Sequence, residues 1–102
     1  MRSNGSVRFR IQIQVAFNTN MNKAKELMSR AVLEHIKTDK DPLPTVIVKH
    51  FAESGVDLEI RLWMKELFLS ENILSDIRYR ILELFVENNI EIPYPHRVLL
   101  NK

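Results

Sequence analysis

The residue types that could do chemistry in this chain are few, and their spacing argues against most of it. His35, His50 and His96 are the obvious candidates for metal ligation or proton transfer, since imidazole does both near neutral pH. None of them stands four residues from another, so no helix turn can aim two rings at one ion, and no metal ligand is expected. His35 falls on the apolar stripe of a helix near its C-terminus, where a packed histidine gains from the helix dipole when protonated. Asp39, Asp41, Glu53 and Asp57 could form an acid–base pair, but they lie in or beside turns, where acids are common anyway. A phosphate-cradling loop needs clustered glycines, and the two present, Gly5 and Gly55, are far apart. Cysteine is absent, which removes disulfides, Cys-ligated zinc and thiol chemistry, and is compatible with a reducing cytosol. Arg2, Arg8 and Arg10 are uninterrupted by acids and read as a solvated or cross-strand-paired strand face. No catalytic or cofactor-binding residue, cofactor, small-molecule substrate or nucleic-acid partner is expected.

The totals fit a module of ordinary kind. The chain has 102 residues, 45% hydrophobic and 27% charged, with a formal net charge of +2. That is enough for one globular core and too little charge to select a partner by electrostatics. Apolar runs fall far short of the ~20 residues that cross a bilayer. The opening Met1-Arg2-Ser3-Asn4-Gly5-Ser6 has no apolar stretch behind it and does not read as a signal peptide.

Periodicity then places the elements. Val7, Phe9, Ile11, Ile13, Val15 and Phe17 alternate with Arg8, Arg10, Gln12, Gln14 and Ala16, which predicts a long strand with one buried face. The other face offers Arg and Gln, not the aromatics on which RNA bases stack. Thr19 or Asn20 can cap the helix that follows, in which Met21, Ala24, Leu27, Met28, Ala31, Val32 and Ile36 recur at helical spacing. The run from Thr38 to Pro44 ends it, and a second strand runs from Thr45 to Phe51. Glu53-Ser54-Gly55 turns the chain into a return strand, Val56 to Met64. There the even positions are apolar and Asp57, Glu59, Arg61, Trp63 and Lys65 face the other way. A second helix runs from about Ser70 to Asn88, with Ile73, Leu74, Ile77, Ile81, Leu84 and Phe85 inward, and Asn88-Asn89 ends it. A short strand starts at Ile90. The order is βαββαβ, an α+β ferredoxin-like sandwich with two helices on one face of a single sheet, followed by a C-terminal exit strand.

Some residues exceed what that fold needs. Tyr79, Leu82 and Val86 lie opposite the buried stripe of the second helix, where a covering helix should be polar. Trp63 stands on the polar face of its strand. Pro93 and Pro95 each lack an N–H and push Ile92 and Tyr94 toward extended geometry, so Pro93-Tyr94-Pro95 reads as a stiff connector. Beyond it Val98, Leu99 and Leu100 have no covering layer of their own. Residues 1–97 are therefore read as the domain and 98–102 as an oligomer-forming strand. Trp63, Tyr79, Leu82, Val86, Val98, Leu99 and Leu100 are the expected subunit contacts.

The octapeptide Ile90-Glu91-Ile92-Pro93-Tyr94-Pro95-His96-Arg97 resembles the Ile-Glu-Ile-Pro-Phe-Pro-Gln-Arg signature that closes the cytoplasmic region of MscS-type mechanosensitive channels. Asn4 and Ser6, Val15-Ala16-Phe17-Asn18-Thr19-Asn20, Asp41-Pro42-Leu43-Pro44, Phe51-Ala52-Glu53-Ser54-Gly55-Val56 and Leu58-Glu59-Ile60-Arg61-Leu62-Trp63 follow the same family's order. Departures fall at Asn20, often Asp in the family, at Ala52-Glu53, often Gly-Asp, and at His96. The resemblance implies a non-enzymatic module on the cytoplasmic face of a bacterial inner membrane. Its parent would be a heptamer that releases ions and small solutes on hypo-osmotic shock, with residues 98–100 in a barrel shared by seven subunits. It implies a membrane part ahead of this stretch, so the chain reads as a soluble fragment that meets the membrane only through that part. The alternative from the residues alone is a free-standing ferredoxin-like module that binds a small ligand at a dimer interface.

Overall fold

A computed structural model describes residues 5–93. Tyr94, Pro95, His96, Val98, Leu99 and Leu100 lie outside the described residues, as do Arg2 and Asn4. Strand β1 (Val7–Val15), helix α1 (Met21–Glu34), strands β2 (Thr45–Phe51) and β3 (Val56–Met64), and helix α2 (Ser70–Glu87) follow in chain order. The sheet is antiparallel with order β1-β3-β2, so the return strand of the hairpin is central. Ile11 pairs with Ile60 and Val15 with Val56 across β1 and β3, while Val46 and Val48 of β2 meet Ile60 and Leu58. This register puts the alternating apolar residues of β1 and β3, with Val46 and Val48 of β2, on one face.

Both helices cover that face. Ala24, Leu27, Met28, Ala31 and Val32 of α1 and Ile73, Ile77, Ile81, Leu84 and Phe85 of α2 are buried against Leu58, Ile60, Leu62 and Met64. The result is the α+β, ferredoxin-like arrangement expected from periodicity, with one core between a helix layer and a sheet.

Three expectations change. Phe17 is exposed, because β1 stops at Val15: the Ala16 N–H leaves the ladder for the Glu91 carbonyl at 3.0 Å, and the Thr19 N–H turns back to the Ala16 carbonyl. Ile36 is exposed as well. Helix α1 ends at Glu34, and Thr38 pulls the chain away by donating its hydroxyl to the Val32 carbonyl at 2.6 Å and bridging to Met64. Finally, no strand begins at Ile90 among the described residues; Glu91 accepts one backbone bond from Ala16, and Ile90 and Ile92 pack against the core without forming a ladder.

Candidate subunit interface and exit connector

Helix α2 has two apolar faces. The buried face fixes it on the sheet, which turns Tyr79, Leu82 and Val86 outward at spacings of three and four residues. They are 71%, 45% and 66% exposed, and with Arg80, Glu83 and Glu87 they form an open face on the outside of the helix. Arg80 forms its edge toward α1. Its guanidinium meets Glu34 at 3.0 Å and Glu83 at 3.1 Å, and the two carboxylates, Glu34 first, raise its pKa. The cation is thus committed to neighbours within the chain, and the apolar stripe is the part of this face left to recognise something else. His35 is held nearby, half-buried, with its Nε2 3.1 Å from Asp76 of α2 and its Nδ1 accepting the Lys37 N–H.

The start of α2 was not anticipated as a site. Leu67, Phe68 and Leu69 are all exposed, Phe68 by 92%. Leu69 occupies the N-cap, where it offers no side-chain hydrogen bond, although Ser, Thr, Asp or Asn there typically stabilises a helix by about 1 kcal/mol. A hydrophobic staple would pack Phe68 onto Ile73, and the exposure of Phe68 excludes it. The Ser70 N–H closes the turn onto the Leu67 carbonyl at 3.2 Å, so the three side chains project from a formed turn. The available signal was compositional: Leu-Phe-Leu occupies a connection where turn formers belong.

The connector leaves the domain through a tight junction. Asn89 has φ 60, one of the few conformations that turns a chain out of a helix, and asparagine tolerates it. The Ile90 N–H then returns to the Phe85 carbonyl at 2.8 Å, and Glu91 bonds to Ala16. Pro93 arrives beside Gly55. A Cβ on Gly55 would stand 2.4 Å from the Val15 carbonyl oxygen and 3.0 Å from Pro93 Cγ. Gly55 is required here for space, since its φ is not positive. The β2–β3 turn, the end of β1 and the exit therefore share one contact, to which Ser54 adds a hydroxyl donated to the Gln14 amide oxygen at 2.9 Å.

Trp63 lies elsewhere. It pairs in register with Arg8, on the sheet face away from the helices, and is half-buried. The structure thus gathers Tyr79, Leu82 and Val86 into one patch and sets Trp63 on the opposite side of the domain. On that opposite face Glu59 is inaccessible to solvent, roofed by its neighbours. Gln12 Nε2 and Arg61 Nε donate to its carboxylate at 2.8 Å each, and they hold its pKa at about 2, with Lys49 at 3.8 Å adding a smaller pull. Asp39 is a second tie. It accepts from Ser6 and from Lys65 at 3.1 Å, the Ser6 bond contributing most to its lowered pKa, while its N–H meets the Trp63 carbonyl at 2.8 Å. Both carboxylates are fully engaged within the fold, which makes them structural anchors.

The chain is similar to known proteins over most of its length. The family model described as mechanosensitive ion channel MscS, C-terminal, matches residues 9–92. An uncharacterized MscS family protein of Archaeoglobus fulgidus is 29% identical over 92 residues, covering 90% of this chain and 32% of its own length. One from Haemophilus influenzae is 28% identical over 92 residues, or 90% of this chain and 8% of that protein. The mechanosensitive channel MscK of Escherichia coli is 31% identical over 62 residues, which is 61% and 6% of the respective chains. The chain thus spans a third or less of these curated relatives. The crystal structure of Helicobacter pylori MscS in its closed state superposes with a TM-score of 0.81 at 22% identity, covering 88% of this chain and 36% of that one.

Proposed function

The chain belongs to the family of MscS mechanosensitive-channel C-terminal domains, and from that premise we propose that it walls the cytoplasmic vestibule of a tension-opened channel. Such a channel releases ions and small solutes on hypo-osmotic shock. The observation that carries the reading is the family match across residues 9–92. The domain does no chemistry of its own. It shapes the cage through which solutes reach the pore on the cytoplasmic face of a bacterial inner membrane, and it holds seven subunits in register. Among the described residues no helix is long and apolar enough to cross a membrane, so in this reading the span belongs to another part of the channel.

A ring is built from heterologous contacts, two different patches meeting around an axis. The outward stripe Tyr79, Leu82 and Val86 supplies one patch, and its exposure supports that role. The junction of Pro93 with Gly55 supports a directed exit, along which Pro93, Tyr94 and Pro95 carry residues 98–100 to a shared barrel. Closing such a barrel leaves no strand edge open to aggregation. Sedimentation equilibrium on the chain with and without residues 95–102 tests this. A mass near seven chains that collapses on truncation is the expected result. A dimer indifferent to truncation, and thermally stabilised by a metabolite, would overturn it in favour of a ligand-binding module.

A further inference from the structure

We infer that the sheet face turned away from the helices carries a binding site for a free phosphate group, formed by Arg10, Arg61 and Thr45. The inference does not depend on the ring reading.

The register sets these three residues in one row across the sheet. Arg10 of β1 stands directly opposite Arg61 of β3, and Thr45 of β2 stands opposite Arg61 on its other side. Neighbouring strands lie about 4.8 Å apart, so the three Cα atoms span roughly 10 Å. Arg8 follows on the same face of β1, opposite Trp63.

The distribution of charge on this face is the unusual part. Opposite charges facing each other across a ladder stabilise a sheet, and like charges in that position destabilise it. The face has acids that could neutralise the arginines, but the register hands them to amides. Gln12 faces Glu59 and Gln14 faces Asp57, and each Gln Nε2 donates to its carboxylate, at 2.8 and 2.9 Å. Glu59 is inaccessible to solvent, and its charge is spent on Arg61 Nε at 2.8 Å and Lys49 at 3.8 Å. Arg10 is exposed and has no ion pair among the described residues. The face is thus divided into a cationic row at one end and amide-capped acids at the other. An anion laid between Arg10 and Arg61 removes the repulsion that this register creates.

The row also has the geometry for a phosphate. The bond from Arg61 Nε to the buried Glu59 fixes the plane of the guanidinium and leaves its two terminal nitrogens to donate elsewhere. Arginine forks match phosphate oxygens in bidentate pairs, and two of them supply two positive charges. Thr45 adds an exposed hydroxyl on the far side of Arg61. A phosphate dianion has the oxygens and the charge to engage both forks, whereas a lone carboxylate engages one.

Calorimetric titration of the chain with inorganic phosphate at fixed ionic strength tests this. Saturable binding of one phosphate per chain is expected. Arg10→Gln should weaken it by about tenfold or more, the loss of a charge-assisted bond, and Thr45→Val by less. Arg78→Gln, an exposed change on α2, should leave it unaltered. In phosphate-free buffer Arg10→Gln should keep or raise the unfolding midpoint, because the repulsion with Arg61 is gone. A lowered midpoint would show that Arg10 serves the fold and would overturn the inference. Absent or unsaturable binding, or equal weakening by Arg78→Gln, would overturn it as well. Vesicles of phosphatidylglycerol, set against phosphatidylcholine, separate the two sources of phosphate. Retention on the anionic vesicles by a chain that ignores free phosphate would assign the row to a lipid headgroup and end the proposal.

Discussion

The two helices lie side by side on the same sheet, yet they are finished in opposite ways. Helix α1 is closed at both ends by side chains. Asn20 accepts the Lys23 N–H at 3.1 Å at its start, and at its other end Thr38 and Lys40 satisfy the Val32 and His35 carbonyls at 2.6 and 2.7 Å. Helix α2 starts on Leu69 with no side-chain cap, has Phe68 exposed just ahead of it, and carries Tyr79, Leu82 and Val86 outward. Its C-terminus is well made, with Asn88 donating from its side-chain amide to the Leu84 carbonyl at 2.8 Å. The irregularity is therefore confined to the N-terminal turn and the outer face. A fold selected for stability alone would have capped that turn and made that face polar. In the proposed ring, α2 is the element whose surface meets something outside the domain.

If that contrast is right, the helices must be equivalent where they face the core. Leu27→Ala in α1 and Ile81→Ala in α2 should each cost about 2–5 kcal/mol, because both side chains are fully buried. Denaturant unfolding measures both. A loss below ~1 kcal/mol for either would mean that its helix is not anchored as described, and the comparison would break at its base.

The next effects are smaller and belong to the ends of α1. Asn20→Ala should cost about 0.5–2 kcal/mol by orphaning the Lys23 amide. Thr38→Val keeps the shape and removes the hydroxyl that donates to the Val32 and His35 carbonyls at the end of α1, for a loss of roughly 0.5–1.5 kcal/mol. Both are read from the same unfolding midpoints. No change from either variant would show that α1 does not depend on its caps, and the uncapped start of α2 would lose its significance.

How much of this could be read from the sequence follows the range of the interactions. Strands β2 and β3 have the expected bounds because alternation and local punctuation, Pro44 before one and Gly55 before the other, act within a few residues. The buried stripes of both helices were legible for the same reason. What was not legible depended on distant partners. Phe17 continues the alternation of β1, but Glu91 ends the strand; Ile36 continues the spacing of α1, but a bridge from Thr38 to Met64 ends the helix. Gly55 looks like an ordinary turn glycine, and its actual requirement is clearance from Val15 and Pro93. Glu59 reads as a solvated strand residue until Gln12 and Arg61 are brought over it. Of the candidate contacts, Tyr79, Leu82 and Val86 were found by periodicity. Leu67, Phe68 and Leu69 were missed because they sit in a connection, where no period applies.

The smallest stability effects decide the most. Tyr79→Asp and Leu82→Asp should change unfolding by no more than ~0.5 kcal/mol, since both side chains already stand in water and surface changes away from special features are mild. Phe68→Asp should be neutral or slightly stabilising, because a carboxylate just ahead of α2 favours the positive end of its dipole by about 0.3–1 kcal/mol. In the proposed ring all three are expected to weaken self-association, measured by sedimentation over a range of concentrations, because each places a charge on an apolar surface that a subunit contact would cover. A helix that gains local stability from a substitution and loses its partners by the same change has its native residue for the partner's sake. Phe68→Asp that destabilised the monomer would instead show the phenylalanine at work inside the fold, and the contrast between α1 and α2 would shrink to a difference in capping.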